Sequence, residues 1–321
     1  MTKPFRTLIV AAIAVLVAVA IAVVWRVAPR KLNIVEYKML APTDIPTAVA
    51  VGADGTAWFT IDFAEGVGLI KDGKMQRVPK AGRNVEPIGI AVDAGGAAWL
   101  TDPAKIAVSR ITADGNIQSF PLGTPIARLG RLAIAPDGAV WFAESTAYSI
   151  TSLKDGVVKR HQFESVQGGP YGVSAASDGT IWATLQAGNQ LLRISPNGEM
   201  KAFDLPTPGA APTDVAAGLH GDAWVVEFRS SKIAHFDGSK FTEYDMPEGK
   251  AAPSGIAVTP DGTVWFGLLR GDGLGRLVDG KAEFIALPRA SARPYTLAAD
   301  RAGNVWYADI SGYVGMIAAR K

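Results

Sequence analysis

The chain has 321 residues, of which 48% are apolar and 19% charged, and its formal net charge is +2. Lysine and arginine form no cluster or stripe along the sequence, which excludes the electrostatic footprint of a nucleic-acid-binding protein. The chain has no cysteine, which excludes disulfides, thiolate metal sites and a cysteine nucleophile.

The first predicted element is a membrane anchor at residues 7–25. This segment reads TLIVAAIAVLVAVAIAVVW and carries no charge, and its length is close to that of a helix that spans a bilayer. The alternative is a cleaved signal peptide with Lys3 and Arg6 as its basic segment. The apolar stretch is long for a signal peptide, and Val24-Trp25-Arg26 lacks the small residues of a cleavage site.

The position of this segment predicts the domain organisation. We expect a cytoplasmic tail at residues 1–6, a transmembrane anchor at 7–25, a linker at 26–33 and a folded domain at 34–321. Basic residues flank the anchor on both sides, so charge alone does not set its orientation. A short tail before a large domain is typical of a translocated domain. The prediction is therefore a single-pass protein of the inner (cytoplasmic) membrane, with its domain in the periplasm or outside.

After the anchor, tryptophan recurs every 41 or 42 residues, at Trp58, Trp99, Trp141, Trp182, Trp224, Trp265 and Trp306. Most of these tryptophans follow a proline by twelve residues. Six of the seven repeats also carry Asp-Gly or Asn-Gly pairs, which favour tight hairpin turns. A unit of four short antiparallel strands is a propeller blade. The predicted fold is therefore an all-β, seven-bladed β-propeller preceded by a single N-terminal transmembrane helix, with the tryptophans packed between adjacent sheets.

The seventh repeat ends before a fourth strand can form. The segment Ile34–Leu40 (IVEYKML) is similar to the fourth strand of the fifth repeat, Phe241–Pro247 (FTEYDMP). We expect residues 34–40 to complete the last blade, because this closure removes an exposed sheet edge.

A candidate binding site lies at one end of the central channel. The residue after each proline begins the first strand, and the third residue after each tryptophan ends the second, so a hairpin brings both to the same end of the blade. A concave centre with carboxylates, guanidinium groups and phenols is typical of a ligand site. Alternatively, these charges cap strand ends and pair across blades. The predicted ligand-binding residues are Glu86, Asp102, Arg128, Glu144, Tyr171, Glu227, Arg293 and Tyr295, with Asp309 in the same ring and Arg131 nearby.

The repeat motif resembles that of the streptogramin lyase (virginiamycin B lyase) family. The segments Asp261–Phe266 (DGTVWF) and Asp137–Glu144 (DGAVWFAE) carry the resemblance most clearly, and it extends over residues 34–321. Propellers of the NHL and gluconolactonase kind share this blade signature. The resemblance implies an enzyme that opens a cyclic depsipeptide by elimination at an ester C–O bond, with a magnesium ion that polarises the ester and a histidine that removes a proton.

The chain departs from the family at the positions that carry this chemistry. The resemblance places two histidines directly after the proline in the last two blades, where this chain has Ser254 and Tyr295. It also implies an acidic residue where this chain has Arg293, and a second acidic residue near Asp309. A tyrosine with an ordinary pKa near 10 is a poor base at neutral pH, and Arg293 would repel Mg²⁺. Asp309 is therefore the one candidate catalytic residue. The histidines of the chain are predicted to be surface or turn residues: His161, His220 and His235.

The leading hypothesis is a membrane-anchored extracytoplasmic propeller that binds a small molecule or an envelope protein at the channel mouth, without a cofactor and without lyase activity. The alternative is a divergent C–O lyase or metal-dependent lactonase that uses Mg²⁺ and the acids Glu86, Asp102, Glu144, Glu227 and Asp309. A third hypothesis is a structural subunit of an envelope complex. None of the three involves nucleic acid.

Overall fold

The computed structural model describes residues 32–62, 66–79, 88–103, 105–124, 128–163 and 168–319. The chain divides into two compact units, Met1–Asn33 and Ile34–Lys321. The predicted anchor at residues 7–25 lies outside the described residues. Within the ranges given above, no helix has the length and apolar character needed to cross a membrane.

The second unit consists of seven four-stranded antiparallel sheets. Strand β1 is Ile34–Lys38. Blade 1 is formed by β2 (Ile45–Val51), β3 (Ala57–Asp62), β4 (Gly66–Lys71) and β5 (Lys74–Pro79). Blade 2 is formed by β6 (Ile90–Val92), β7 (Ala98–Asp102), β8 (Ala107–Ile111) and β9 (Ile117–Pro121). Blade 3 is formed by β10 (Leu129–Ile134), β11 (Val140–Glu144), β12 (Ser149–Lys154) and β13 (Val157–Gln162), with a short 3₁₀ helix at Ser145–Ala147.

The remaining blades follow the same order. Blade 4 is formed by β14 (Pro170–Ala175), β15 (Ile181–Leu185), β16 (Gln190–Ile194) and β17 (Met200–Asp204). Blade 5 is formed by β18 (Pro212–Ala217), β19 (Ala223–Glu227), β20 (Lys232–Phe236) and β21 (Phe241–Asp245). Blade 6 is formed by β22 (Ala251–Val258), β23 (Val264–Arg270), β24 (Gly273–Val278) and β25 (Lys281–Ala286). Blade 7 is formed by β26 (Pro294–Ala299), β27 (Val305–Asp309), β28 (Tyr313–Ile317) and β1.

The blades form a closed ring. The first strand of each blade contacts the first strand of the next, and β26 of blade 7 contacts β2 of blade 1. First strands therefore surround a central channel, as in a propeller. The prediction of an all-β, seven-bladed propeller is confirmed.

Blade 7 joins the two ends of the described unit. Strand β1 is the outermost strand of this blade and pairs with β28, with Ile34 opposite Ile317. The Tyr307 hydroxyl donates a 2.8 Å hydrogen bond to Glu36 Oε1, and Arg289 Nε lies 3.2 Å from the same oxygen. Side-chain contacts thus reinforce the backbone pairing that closes the ring.

Each repeated tryptophan lies opposite a small residue of the first strand. The partners are Ala50, Ala91, Ala133, Ser174, Ala216, Ala257 and Ala298. First strands converge on the channel and have little room between them, so a small residue there lets the large ring pack against the neighbouring sheet. Trp58 and Trp182 are almost fully buried. The 41- to 42-residue spacing of the tryptophans therefore reflects how adjacent sheets pack against each other.

Side-chain volumes are also balanced between the second and third strands. Phe59, Phe266 and Tyr307 lie opposite Gly68, Gly275 and Gly315. A Cβ atom on any of these glycines would lie 2.0 Å from the ring of its partner. In blade 4 the order is reversed, and Ala183 lies opposite Leu192. Interiors pack at near-crystalline density, so in these four blades a large side chain on one strand is matched by a small residue on the other.

The first strand of a blade bulges directly after its proline. In blade 4, Pro170 is opposite Leu185 but Val173 is opposite Ala183, so two residues of β14 face Thr184 alone. Blades 1, 3, 5, 6 and 7 show the same kind of register shift. The Thr184 hydroxyl accepts the Gly172 N–H at 2.9 Å. A bulge changes the direction in which side chains point. In these blades it lies at the end of the first strand that is nearest the channel mouth.

Candidate functional site

The strand register places the two predicted site positions at the same end of the blades. The proline position is paired with the third residue after the tryptophan, as in Leu129 with Glu144, Pro212 with Glu227 and Pro294 with Asp309. We call this end the channel mouth. The opposite end carries the hairpin turns between first and second strands and between third and fourth strands.

Four residues of the bulged segments meet at the channel mouth. We call them the axial cluster: Arg131, Tyr171, Asp214 and Tyr295. The hydroxyls of Tyr171 and Tyr295 lie 3.2 Å apart, although blade 4 supplies one and blade 7 the other. The guanidinium carbon of Arg131 lies 5.9 Å from the centroid of each phenol ring. Arg131 Nη1 also lies 3.0 Å from Asp214 Oδ2, which accepts the Ile256 N–H at 3.1 Å.

Burial determines the electrostatics of this cluster. It raises the pKa of Asp214, while Arg131 beside it acts in the opposite direction. Burial also raises the pKa of Tyr171, and the neighbouring Tyr295 adds to the effect. The Tyr171 hydroxyl is therefore neutral at physiological pH and acts as a hydrogen-bonding group rather than as a base.

A cavity of about 380 Å³ extends along the channel behind the axial cluster. First strands line it mainly with alanine, valine, isoleucine and leucine, and Arg131, Asp214 and Thr296 contribute polar groups. Thr296 Oγ1 is buried without a hydrogen-bond partner among the residues that the structure describes. The cluster thus supplies the charged side chains of a channel whose other side chains are mostly aliphatic.

The predicted acids Glu144 and Asp309 are buried and fully engaged. Glu144 is 1% exposed, and its carboxylate accepts hydrogen bonds from Thr151 Oγ1 at 2.5 Å and Arg160 Nε at 2.9 Å. Asp309 is 0% exposed. It accepts the Arg293 N–H at 2.8 Å and the Ser311 hydroxyl at 2.6 Å, and it also pairs with Arg289. These contacts hold strand ends and loops together.

Asp102 and Glu227 are buried as well. Asp102 accepts long hydrogen bonds of 3.4 Å from the Lys105 N–H and the Ser109 hydroxyl. Glu227 Oε2 accepts the Ser230 hydroxyl at 2.7 Å, while its Oε1 is buried without a partner among the described side chains. Burial raises the pKa of Glu227 to about 7, and the nearby Glu243 adds to this shift.

The raised pKa of Glu227 predicts a pH dependence of stability. Between its ordinary value of 4.5 and about 7, the folded chain holds this proton more tightly than the unfolded chain does. Glu227 therefore stabilises the fold at low pH, and this contribution, about 3 kcal/mol, is lost as the pH rises through 7. Denaturant unfolding at pH 5 and pH 8 measures it, and Glu227→Gln is expected to lose less stability over that interval than wild type. An equal loss in both proteins would contradict the assignment.

Glu243 contributes to stability with the opposite sign. Burial acts to raise its pKa, but its contacts, chiefly that with Lys232, outweigh that effect and the pKa is lowered.

Arg128 and Arg293 remain exposed at the channel mouth. Arg128 makes backbone contacts there, with its N–H 3.2 Å from Thr146 Oγ1 and its carbonyl 2.8 Å from the Ser145 nitrogen. Glu86 lies outside the described residues. Among the predicted ligand-binding residues, the structure therefore brings Tyr171 and Tyr295 into contact and leaves the two arginines accessible.

Asp214 is the one member of the axial cluster that the sequence analysis missed. It is the second residue after the blade proline, where three other blades have glycine: Gly89, Gly172 and Gly255. A Cβ atom on Gly172 would lie 2.9 Å from Asp214 Cα. The signal was present in the alignment of repeats, because Arg131 and Asp214 put opposite charges at a position that otherwise favours glycine.

The positions that the resemblance assigns to catalysis have other roles in this structure. Ser254 is buried, and its hydroxyl donates a 2.7 Å hydrogen bond to the Pro294 carbonyl. Tyr295 belongs to the axial cluster, and Arg293 is exposed at the channel mouth. The described residues contain no group of three His, Asp or Glu side chains placed to hold a metal ion. They therefore do not fit the magnesium site that the resemblance implies.

Comparison with known proteins gives consistent matches. The family model described as "Virginiamycin B lyase family" matches residues 23–189 and 129–321. A virginiamycin B lyase of Nocardia farcinica is 34% identical over 193 residues, a match that spans 60% of this chain and 66% of that protein. A virginiamycin B lyase of Bordetella pertussis is 44% identical over 45 residues, or 14% of this chain and 15% of that protein.

A solved structure shows the same fold. It is a catalytically inactive virginiamycin B lyase from Staphylococcus aureus with quinupristin. The TM-score is 0.82 at 23% sequence identity, and the superposition covers 90% of this chain and 100% of that chain. At this identity, the likeness establishes the architecture alone.

Proposed function

We propose, from the premise that this chain belongs to the virginiamycin B lyase family, that it is a binding module rather than a lyase. Its channel mouth takes a small molecule rich in carbonyl or carboxylate oxygens. The axial cluster is the observation that carries this proposal. Tyr171 and Tyr295 meet across the channel, with Arg131 beside both rings, where the resemblance implies a catalytic histidine.

The accessible polar groups of the mouth are mainly hydrogen-bond donors. Arg128 and Arg293 are exposed, and both phenols are half-buried. Thr213, at the post-proline position of blade 5, has a buried hydroxyl without a partner among the described residues. The acids of the same ring that the structure describes are buried and form contacts with neighbouring strands and loops. A concave surface with donors and few accessible acceptors favours a ligand that supplies acceptors.

The cyclic depsipeptide quinupristin is a suitable probe, because it presents many carbonyl oxygens. We expect the full-length chain in detergent to bind it without opening its ring, since the described residues place no solvent-accessible base at the mouth. Isothermal titration calorimetry measures the binding, and mass spectrometry of the incubated probe detects a linear product. Arg128→Ala with Arg293→Ala is expected to weaken binding about tenfold, because each lost donor contributes about 0.5–1.5 kcal/mol.

The matched control is Arg301→Ala. Arg301 is an exposed arginine in the turn between β26 and β27, at the opposite end of the blade, and its loss should leave binding unchanged. Ring opening that disappears in Asp309→Ala would refute the proposal and establish a lyase.

One observation favours a second candidate function, a divergent C–O lyase or lactonase. A carboxyl group with a pKa of about 7, as in Glu227, suits general acid or base catalysis. Its complete burial and its bond to Ser230 favour a structural role instead. Ring opening or lactone hydrolysis by the wild type, lost in Glu227→Gln with folding intact, would decide in favour of the enzyme.

As part of the same proposal, residues 7–25 hold the propeller at a membrane, with the propeller outside the cytoplasm. The uncharged sequence of this segment supports the proposal. Leu16→Asp with Val19→Asp is expected to move most of the chain from the carbonate-resistant membrane fraction to the soluble fraction, because charged residues near the centre of a span oppose insertion. Unchanged membrane association of this variant would contradict the anchor.

A further inference from the structure

A groove between blades 3 and 4 lies at the turn end of the propeller, opposite the channel mouth. Its volume is about 560 Å³. The walls come from the hairpin turns of both blades and from the face of blade 3 that carries Trp141 and His161. Small-molecule sites commonly occupy roughly 300–1,000 Å³, so the groove has the size of a ligand site. We call it the blade 3–4 groove.

The groove exists because one residue of blade 3 is short. In every blade, the third strand places one residue directly opposite the repeated tryptophan. In six blades that residue is long or carries a ring: Leu69, Arg110, Arg193, His235, Arg276 and Met316. In blade 3 it is Ser152.

In blades 5 and 6 the long residue at this position covers its tryptophan. The His235 ring stacks on Trp224 with centroids 4.0 Å apart and an angle of 13° between the planes. The Arg276 guanidinium carbon lies 5.7 Å from the centroid of Trp265. Ser152 is too short to make such a contact with Trp141. The groove therefore occupies the place that a covering side chain fills in blades 5 and 6.

Blade 3 also differs at the fourth strand. His161 stands opposite Ile150 in a position that is aliphatic or aromatic in the other blades: Tyr37, Val78, Phe120, Phe203, Tyr244 and Ile285. The centroids of the His161 and Trp141 rings lie 4.8 Å apart, tilted by 32°. Burial lowers the pKa of His161, and Lys159 adds to the effect. The imidazole is thus neutral near pH 7, and together with Trp141 it forms an aromatic wall.

Among the described residues, the rim of the groove has one cation without an ion-pair partner. Lys154 Nζ lies 2.7 Å from Asp137, which neutralises it. Asp178, on the blade 4 side, accepts the Thr180 N–H of its own turn at 2.9 Å. Lys159 lies two residues from His161 on the same face of β13, is exposed, and forms no salt bridge with any described residue. An aromatic wall beside an unpaired ammonium group is suited to an aromatic ring that carries an anionic group.

We propose that the blade 3–4 groove binds a planar aromatic carboxylate, with its ring against Trp141 and His161 and its carboxylate toward Lys159. A second polar feature supports a ligand: His161 Nε2 is buried without a hydrogen-bond partner among the described residues. A buried polar atom without a hydrogen-bond partner is unfavourable, and a polar group of a bound ligand can pair with this one. The site is independent of the channel mouth and of the function proposed for it.

Titration of the full-length chain with indole-3-acetate tests the proposal, with neutral indole-3-acetamide as the matched ligand. Calorimetry is expected to show saturable one-to-one binding of the acid. In NMR spectra, the indole N–H signal that is lost in Trp141→Phe should shift on titration. Ser152→Arg gives blade 3 the residue that blades 2, 4 and 6 have, so it should fill the groove and weaken binding at least about tenfold. Lys159→Ala should weaken the acid about three- to fivefold, as expected for a partly exposed ion pair, and leave the amide unchanged.

Lys201→Ala is the matched control, because Lys201 has the same place in blade 4, opposite Arg193, and its loss should not alter binding. Three outcomes would overturn the proposal. They are no saturable binding to wild type, a Trp141 signal that does not move, and undiminished binding by Ser152→Arg with an unchanged melting temperature. Should Ser152→Arg fail to fold, Lys159→Ala decides the matter, since equal weakening of the acid and the amide contradicts a carboxylate contact.

Discussion

Asp214→Ala is expected to destabilise the propeller by about 3–5 kcal/mol, because it leaves the Arg131 guanidinium buried without its counter-ion. Arg131 Nη1 lies 3.0 Å from Asp214 Oδ2, and their side chains are 12% and 6% exposed. Asp214 also accepts the Ile256 N–H, so the substitution removes an acceptor from a buried backbone group. Guanidinium chloride unfolding at pH 7 measures the change in free energy of unfolding.

Two further variants separate the charge effect from general damage. Arg131→Met with Asp214→Leu removes both charges and should be more stable than Asp214→Ala alone, because no uncompensated charge remains. Asp245→Ala, at an exposed carboxylate at the end of β21, should change stability by no more than about 0.5 kcal/mol. A double variant as unstable as Asp214→Ala would show that packing at the axis, and not charge pairing, determines the effect.

Gly275→Ala is the second substitution for which we expect a large effect, about 3 kcal/mol of destabilisation. The added Cβ would lie 2.0 Å from Phe266 Cε2, and a close-packed blade interior cannot absorb that overlap without moving a strand. Thermal and denaturant unfolding both measure the change. Wild-type stability in this variant would mean that blade 6 has more internal space than its structure indicates.

The chain itself provides the compensating change. Blade 5 has Val225 opposite Ala234 in the corresponding places, so Phe266→Val with Gly275→Ala reproduces that pair in blade 6. We expect this double variant to be more stable than the sum of the two single effects predicts, because the residues are in direct contact. Strict additivity would contradict the idea that their volumes are coupled.

The fold could be predicted from the sequence because one packing requirement recurs in every blade. A tryptophan that packs between sheets needs a small partner on the first strand and tight turns on either side, and these features recur at a 41- to 42-residue spacing. The similarity of residues 34–40 to other fourth strands pointed to the strand that pairs with β28. The sequence pattern within one repeat therefore predicted contacts between residues far apart in the chain, because every blade has the same strand order and packing.

The candidate site could be predicted only in part. Hairpin geometry located the mouth, but it did not show that Glu144 and Asp309 point into contacts with Arg160 and Arg289. The bulge after the proline decides which residue reaches the axis, and a one-residue shift moves a side chain to the other face of a strand. The spacing of the repeats does not show which residue of the bulge reaches the channel axis, and for this reason the sequence analysis missed Asp214.

The pairing of β1 with β28 has a consequence for how the protein is made. Of all the propeller strands, the ribosome releases β1 first and β28 last. The edge of β1 therefore remains unpaired while the other blades are synthesised and begin to fold. The Tyr307 hydroxyl and Glu36 also meet only at this late stage. The ring can therefore close only after residues 313–317 have been synthesised, and any shorter nascent chain leaves the edge of β1 unpaired.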